Sequence, residues 1–171
     1  MRSWLFTGIL AAAIALPALS GAAWAGGTDD YGCSNATLKG EYAFGVTAYT
    51  PAGLPNGPPQ VVAGIKVFDG NGNLTQRDYI GDSLRTTGQI DFSTGETGTY
   101  TVNANCTGSM VINVPVPGLS TGVINIMFVI SDGGRHIHEV VSELTPPGST
   151  TGPASTQTSA DDWKVASEEA R

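Results

Sequence analysis

The side chains best suited to chemistry stand together directly after a Gly133-Gly134 turn, as Arg135-His136-Ile137-His138-Glu139. Side chains alternate along a strand, so His136 and His138 project to one face. A His-x-His pair can give two imidazole ligands to zinc or copper if a carboxylate arrives from elsewhere, or one ring can serve as a general base. Two ligands without a located third do not define a centre. The sequence therefore predicts no metal and no cofactor, and the ordinary expectation is that both rings cap a rim or sit exposed beside the turn. His138 is the better placed of the two for catalysis or ligand binding. If Val140, Ser142 and Leu144 face inward then so does His138, with Glu139 and Glu143 toward solvent.

A second polar cluster, Arg77-Asp78-Tyr79 with Asp82 and Arg85, offers an anion clamp or a cross-strand pair. Arg77 and Tyr79 join His138 as catalytic candidates, although surface Arg/Asp pairing is the commoner outcome. Tyr42, Tyr79 and Tyr100 are expected mainly to pack, with hydroxyls tied to nearby polar groups and free to orient a ligand. No Gly-x-Ser-x-Gly elbow, His-Glu-x-x-His, phosphate loop or dinucleotide fingerprint occurs. The Asp69-x-Asn71-x-Asn73 spacing lacks the glycine and glutamate that would complete a calcium loop, and reads as a turn.

The elements that must carry these residues repeat one grammar from 37 to 144. A β-branched or alternating run is followed by a short cluster of Gly, Asn, Asp, Ser or Pro, which reads as antiparallel strands and hairpins. In the first run Leu38, Tyr42, Phe44, Val46 and Ala48 share one side, against Lys39, Glu41 and Thr47 on the other. Further runs lie at 61–68, 74–80, 84–92, 97–102, 106–114, 123–131 and 136–144. The predicted fold is all-β, a single antiparallel eight-stranded up-and-down barrel whose closure removes exposed edges. Residues 26–36 form a lead into this barrel domain at 37–145. Residues 146–171 read as a Ser/Thr/Pro/Gly linker and a short helix at 160–169, with Ser159 as cap and Asp161 and Asp162 in its first turn.

Residues 1–25 have the layout of a secretory signal peptide: Arg2, an apolar run and Ala23-Trp24-Ala25 as the cleavage site. The expected location is outside the cytoplasm, periplasmic or extracellular, with no membrane insertion once the leader is removed. Without Arg2 the 8 basic residues become 7 against 15 acidic ones, a net of −8, which excludes a nucleic-acid partner built on Lys and Arg clusters. In an oxidising compartment the only two cysteines, Cys33 and Cys106, are expected to form a disulfide. The sequence does not set the oligomeric state.

Three stretches carry a family likeness. Cys33-Ser34-Asn35-Ala36-Thr37-Leu38-Lys39-Gly40-Glu41-Tyr42-Ala43-Phe44 is followed by Val67-Phe68-Asp69-Gly70-Asn71-Gly72-Asn73-Leu74, and then by Gly98-Thr99-Tyr100-Thr101-Val102 with Asn105-Cys106-Thr107-Gly108. Together they resemble a group of small exported bacterial proteins over about two thirds of the chain that follows the leader. The resemblance implies a barrel of the lipocalin-like or allene oxide cyclase-like kind, which hosts binders and a few cyclases. No catalytic signature comes with it.

The functional expectation is a barrel that binds a small apolar molecule in its interior, lined by Tyr42, Phe44, Val46, Ile65, Val67, Tyr100, Ile112, Ile126, Phe128 and His138. One alternative is a cyclase or isomerase using the same cavity. A structural or adhesive exported domain follows instead if side chains fill the barrel.

Overall fold

The structure is a computed structural model and describes residues 32–49, 60–81, 91–154 and 156–165. The leader expected at residues 1–25 and residues 84–90 of the expected fourth run lie outside the described residues. Eight strands follow one another: β1 (Lys39–Tyr49), β2 (Gln60–Asp69), β3 (Asn73–Gly81), β4 (Glu96–Val102), β5 (Thr107–Val114), β6 (Gly122–Ser131), β7 (His136–Thr145) and β8 (Gln157–Lys164). They form a closed barrel in chain order, with β8 antiparallel to both β7 and β1. The expected architecture is therefore present, but β3 pairs directly with β4 at Glu96–Val102, so the run expected at 84–92 is not among the eight, the run expected eighth is β7, and Gln157–Lys164 is the added strand.

Two boundaries need correction. The helix expected over 160–169 is strand as far as Lys164, so the barrel runs beyond residue 145. A capped, acid-led decapeptide is a fair helix in isolation, but the open edges of β1 and β7 each need a hydrogen-bonding partner, and tertiary pairing overrides so weak a local preference. The Pro/Gly segment between β7 and β8 folds back, with Leu144 and Ala154 exchanging backbone hydrogen bonds of 2.9 Å.

One end of the barrel is solid. Tyr42, Phe68 and Tyr100 stack edge to face at 5.3 and 5.0 Å among Leu74, Met110, Phe128, Ile130 and Ile137. The short 3-10 turn Asn35–Leu38 plugs this end with the fully buried Leu38. It is fastened by Asn35 Oδ1, which accepts from the Val102 amide at 2.8 Å, and by Tyr100, which donates to the Asn35 carbonyl at 2.9 Å. The Cys33–Cys106 disulfide joins the same lead to the β4–β5 turn, as expected. Burial pushes the Tyr42 phenol up to about 12, with Tyr100 and Asp162 adding to the shift, so at neutral pH it stays a donor, to the Gly134 carbonyl.

Small residues make room for the large ones. A Cβ on Gly64 would meet the Phe44 ring at 2.5 Å, and one on Gly108 would meet the Phe128 ring at 2.2 Å. Glycine in these strands thus lets an aromatic ring lie across the backbone.

Candidate functional site

Toward the other end, the barrel holds a cavity of about 160 Å³. Its walls come from inward positions of seven strands, including Phe44, Val46, Val62, Ile80, Ile112, Ile126 and Val141, while Lys66, Gln76, Asp78 and Glu139 give it a polar side. These four sit in the middle of their strands, next to the solid end: Lys66 pairs in register with Tyr42 and Gln76.

Lys66 anchors the polar layer. Its ammonium donates to Glu139 Oε2 at 2.5 Å and to Asp162 Oδ2 at 3.0 Å, and lies 4.6 Å from the centre of the Phe44 ring. All three charged side chains are at most 2 % exposed. Burial alone pushes an ammonium down, but the two carboxylates beside Lys66 outweigh it and hold the group above its ordinary range. One cation cannot neutralise two buried anions. Burial accordingly pushes the Asp162 carboxyl up to about 7 against the pull of Lys66, with the Glu139 charge adding to the rise. Glu139 Oε1 and Asp162 Oδ1 have no hydrogen-bond partner among the described residues when both groups are ionised. A proton retained by Asp162 can join the two.

A second acidic pair flanks the first. The Ser93 hydroxyl lies 2.6 Å from Asp78 Oδ1 and 2.7 Å from Glu96 Oε1, and Gln76 Nε2 donates to Glu96 Oε2 at 2.8 Å. One hydroxyl hydrogen cannot serve two carboxylates. Burial, helped by the Asp78 charge, raises the Glu96 carboxyl in spite of the Ser93 and Gln76 hydrogen bonds. Gln76 Oε1 is buried without a partner among the described residues.

The expected ligand-binding residues divide in three. Phe44, Val46, Ile112 and Ile126 line the cavity. Tyr42, Tyr100 and Phe128 face inward but are consumed by the solid end. Ile65, Val67 and His138 point outward, Ile65 and Val67 onto an outer groove that Arg77 also lines. Arg77 and Tyr79 alternate with the buried Gln76 and Asp78, so neither catalytic candidate reaches the interior.

The inversion on β7 has a definite cause. A bulge interrupts the β6–β7 register, with Asn125 opposite Glu143 but Ile126 opposite Val141. Ser142 is the extra residue, and the inward phase changes parity across it. Leu144 faces in beyond the bulge; before it the inward positions are Glu139 and Val141, and His138 lies on the wall outside.

Sequence reasoning missed Lys66, Gln76, Asp78, Glu96, Glu139 and Asp162. Phe68, which shares parity with Lys66, was the available signal on β2. His136 and His138 do share a face, as their spacing requires, and β8 brings Asp161 to within 3.1 and 2.8 Å of them.

No helix among the described residues is long and apolar enough to cross a membrane. No family model, curated protein or solved structure matches the chain.

Proposed function

We propose that the chain is an exported binding protein that takes one small ligand into the open half of its barrel, apolar body against the walls and polar head toward the Lys66 layer. The leader-like residues 1–25, the disulfide and the likeness to small exported barrel proteins support the compartment. The observation that carries the binding reading is a cavity with apolar walls and one charged side, the arrangement that holds and orients small molecules. Its volume, below the roughly 300 Å³ at which drug-sized pockets begin, selects a compact ligand. Among the described residues Glu139 and Asp162 share the one buried ammonium, that of Lys66, so a neutral donor or a cation is the preferred head.

A thermal-shift panel of short aliphatic alcohols, amines and carboxylates tests this. Alcohols or amines are expected to raise Tm in a concentration-dependent way, with carboxylates inert. Val62→Trp, which fills the cavity, is expected to abolish the shift. No shift with any compound, or one that survives Val62→Trp, would refute the reading.

One observation favours a cyclase or isomerase instead: the Asp78 and Glu96 carboxyls both lie within hydrogen-bond distance of the one Ser93 hydroxyl, a setting that suits a general acid and base. Under that reading the catalytic role passes from Arg77, Tyr79 and His138 to this pair.

A further inference from the structure

The outer wall of β7 and β8 carries a side-chain cluster that the interior does not use. Strand register sets His136 opposite Trp163 and His138 opposite Asp161. Trp163 stacks on the His136 ring at 3.6 Å and 13°, covering it so that His136 is only 9 % exposed although it lies outside the barrel. The two imidazoles are 4.0 Å apart between ring centres. Asp161 Oδ1 lies 3.1 Å from His136 Nε2 and 2.8 Å from His138 Nδ1, and Ser131 Oγ lies 3.5 Å from His138 Nε2.

We propose that His136, His138 and Asp161 form a binding site for a divalent transition-metal ion of the zinc or copper class. The donor set is one carboxylate and two imidazoles, and the imidazole nitrogens are borderline ligands suited to these ions and poorly suited to calcium or magnesium. Metal–ligand bonds near 2.0–2.2 Å place the donors of a tetrahedral site about 3.3 Å apart. Here all three donor atoms already lie within 4.8 Å of one another. The remaining adjustment falls on His138 and Asp161, whose side chains are 55 % and 60 % exposed and free to turn, while the stacked indole holds His136 in place. Three protein ligands leave a coordination position open to water. Both strands are tied into the closed barrel, so the backbone presents the donors before any ion arrives. The site stands on the wall outside the cavity and does not depend on what the interior binds.

Trp163 supplies the reporter. Copper(II) bound to His136 lies against the indole and quenches its emission. Titration of the full-length chain with copper sulfate is expected to give saturable quenching at one equivalent. The quenching should be absent in Trp163→Phe, which retains Trp4 and Trp24, and zinc should reverse it by competition. Calorimetric zinc titration of His138→Asn and Asp161→Asn, both exposed positions, is expected to show affinity at least about tenfold weaker, since loss of even an outer partner of a ligand costs that much. Their circular-dichroism spectra should remain those of the unmodified protein. Unchanged affinity in both variants, or quenching that persists in Trp163→Phe, would overturn the proposal, as would binding with no saturation at one equivalent.

Discussion

Lys66 faces two carboxylates that share its single charge, and the consequence is a pH dependence that runs against the usual acid denaturation. An Asp raised to about 7 in the fold and ordinary in the unfolded chain binds its proton more tightly when folded. Its contribution to stability is then flat below about pH 4 and declines as pH rises toward 7, by an amount on the order of 4 kcal/mol at most. Glu96, also raised, adds in the same direction, whereas Asp69, held low by hydrogen bonds from Asn73 and Asn71, opposes it. The difference between the wild type and Asp162→Asn isolates one group. Urea unfolding at successive pH values is expected to show the variant gaining on the wild type from pH 4 to 7, and parallel curves would refute the assignment. Little of this was legible in the sequence. On β2, Val61, Val62, Ile65, Val67 and Phe68 populate both faces with apolar side chains, so alternation could not fix the phase or mark Lys66 as inward.

Strands were legible wherever apolar and polar residues alternate, as on β1, β4 and β5. The pattern Gln157-Thr158-Ser159-Ala160-Asp161-Asp162-Trp163-Lys164 fails that test because its inward side is Thr158, Ala160 and Asp162 while its largest apolar residue faces out. Only its neighbours make it a strand. The same dependence on neighbours governs the interior glycines. Gly108→Ala would set a methyl group against the Phe128 ring and, at 2.5 Å, the Thr101 carbonyl, and is expected to cost about 2–3 kcal/mol. Gly45→Ala, with nothing within 4 Å of its new Cβ, is the matched control and should fall within about 0.5 kcal/mol of the wild type. Equal urea midpoints for the two variants would mean that the ring does not need the space.

At the scale of the whole molecule, the number of strands, their closure and seven of the segments could be read in advance but not the eighth, since a count of apolar runs takes no account of a polar strand recruited to seal two edges. The disulfide was legible from cysteine count and leader alone, and it links residues 73 apart. In the chain-entropy account such a crosslink contributes about 4 kcal/mol. A Cys33→Ser/Cys106→Ser protein is expected to lose most of that in urea unfolding, and a reducing agent should lower the wild type to match it. An unchanged midpoint would mean that the 3-10 plug holds the closed end unaided. The pairing of β1 with β8 has a further consequence for how the protein is made. The first ribbon of the barrel to leave the ribosome pairs with β2 along one edge, but its other edge, with Tyr42 opposite Lys164 and Thr47 opposite Ser159, is matched only by the last. A nascent chain cannot close the barrel until β8 has been made, so final closure is a slow step set by contacts spanning nearly the full length of the domain.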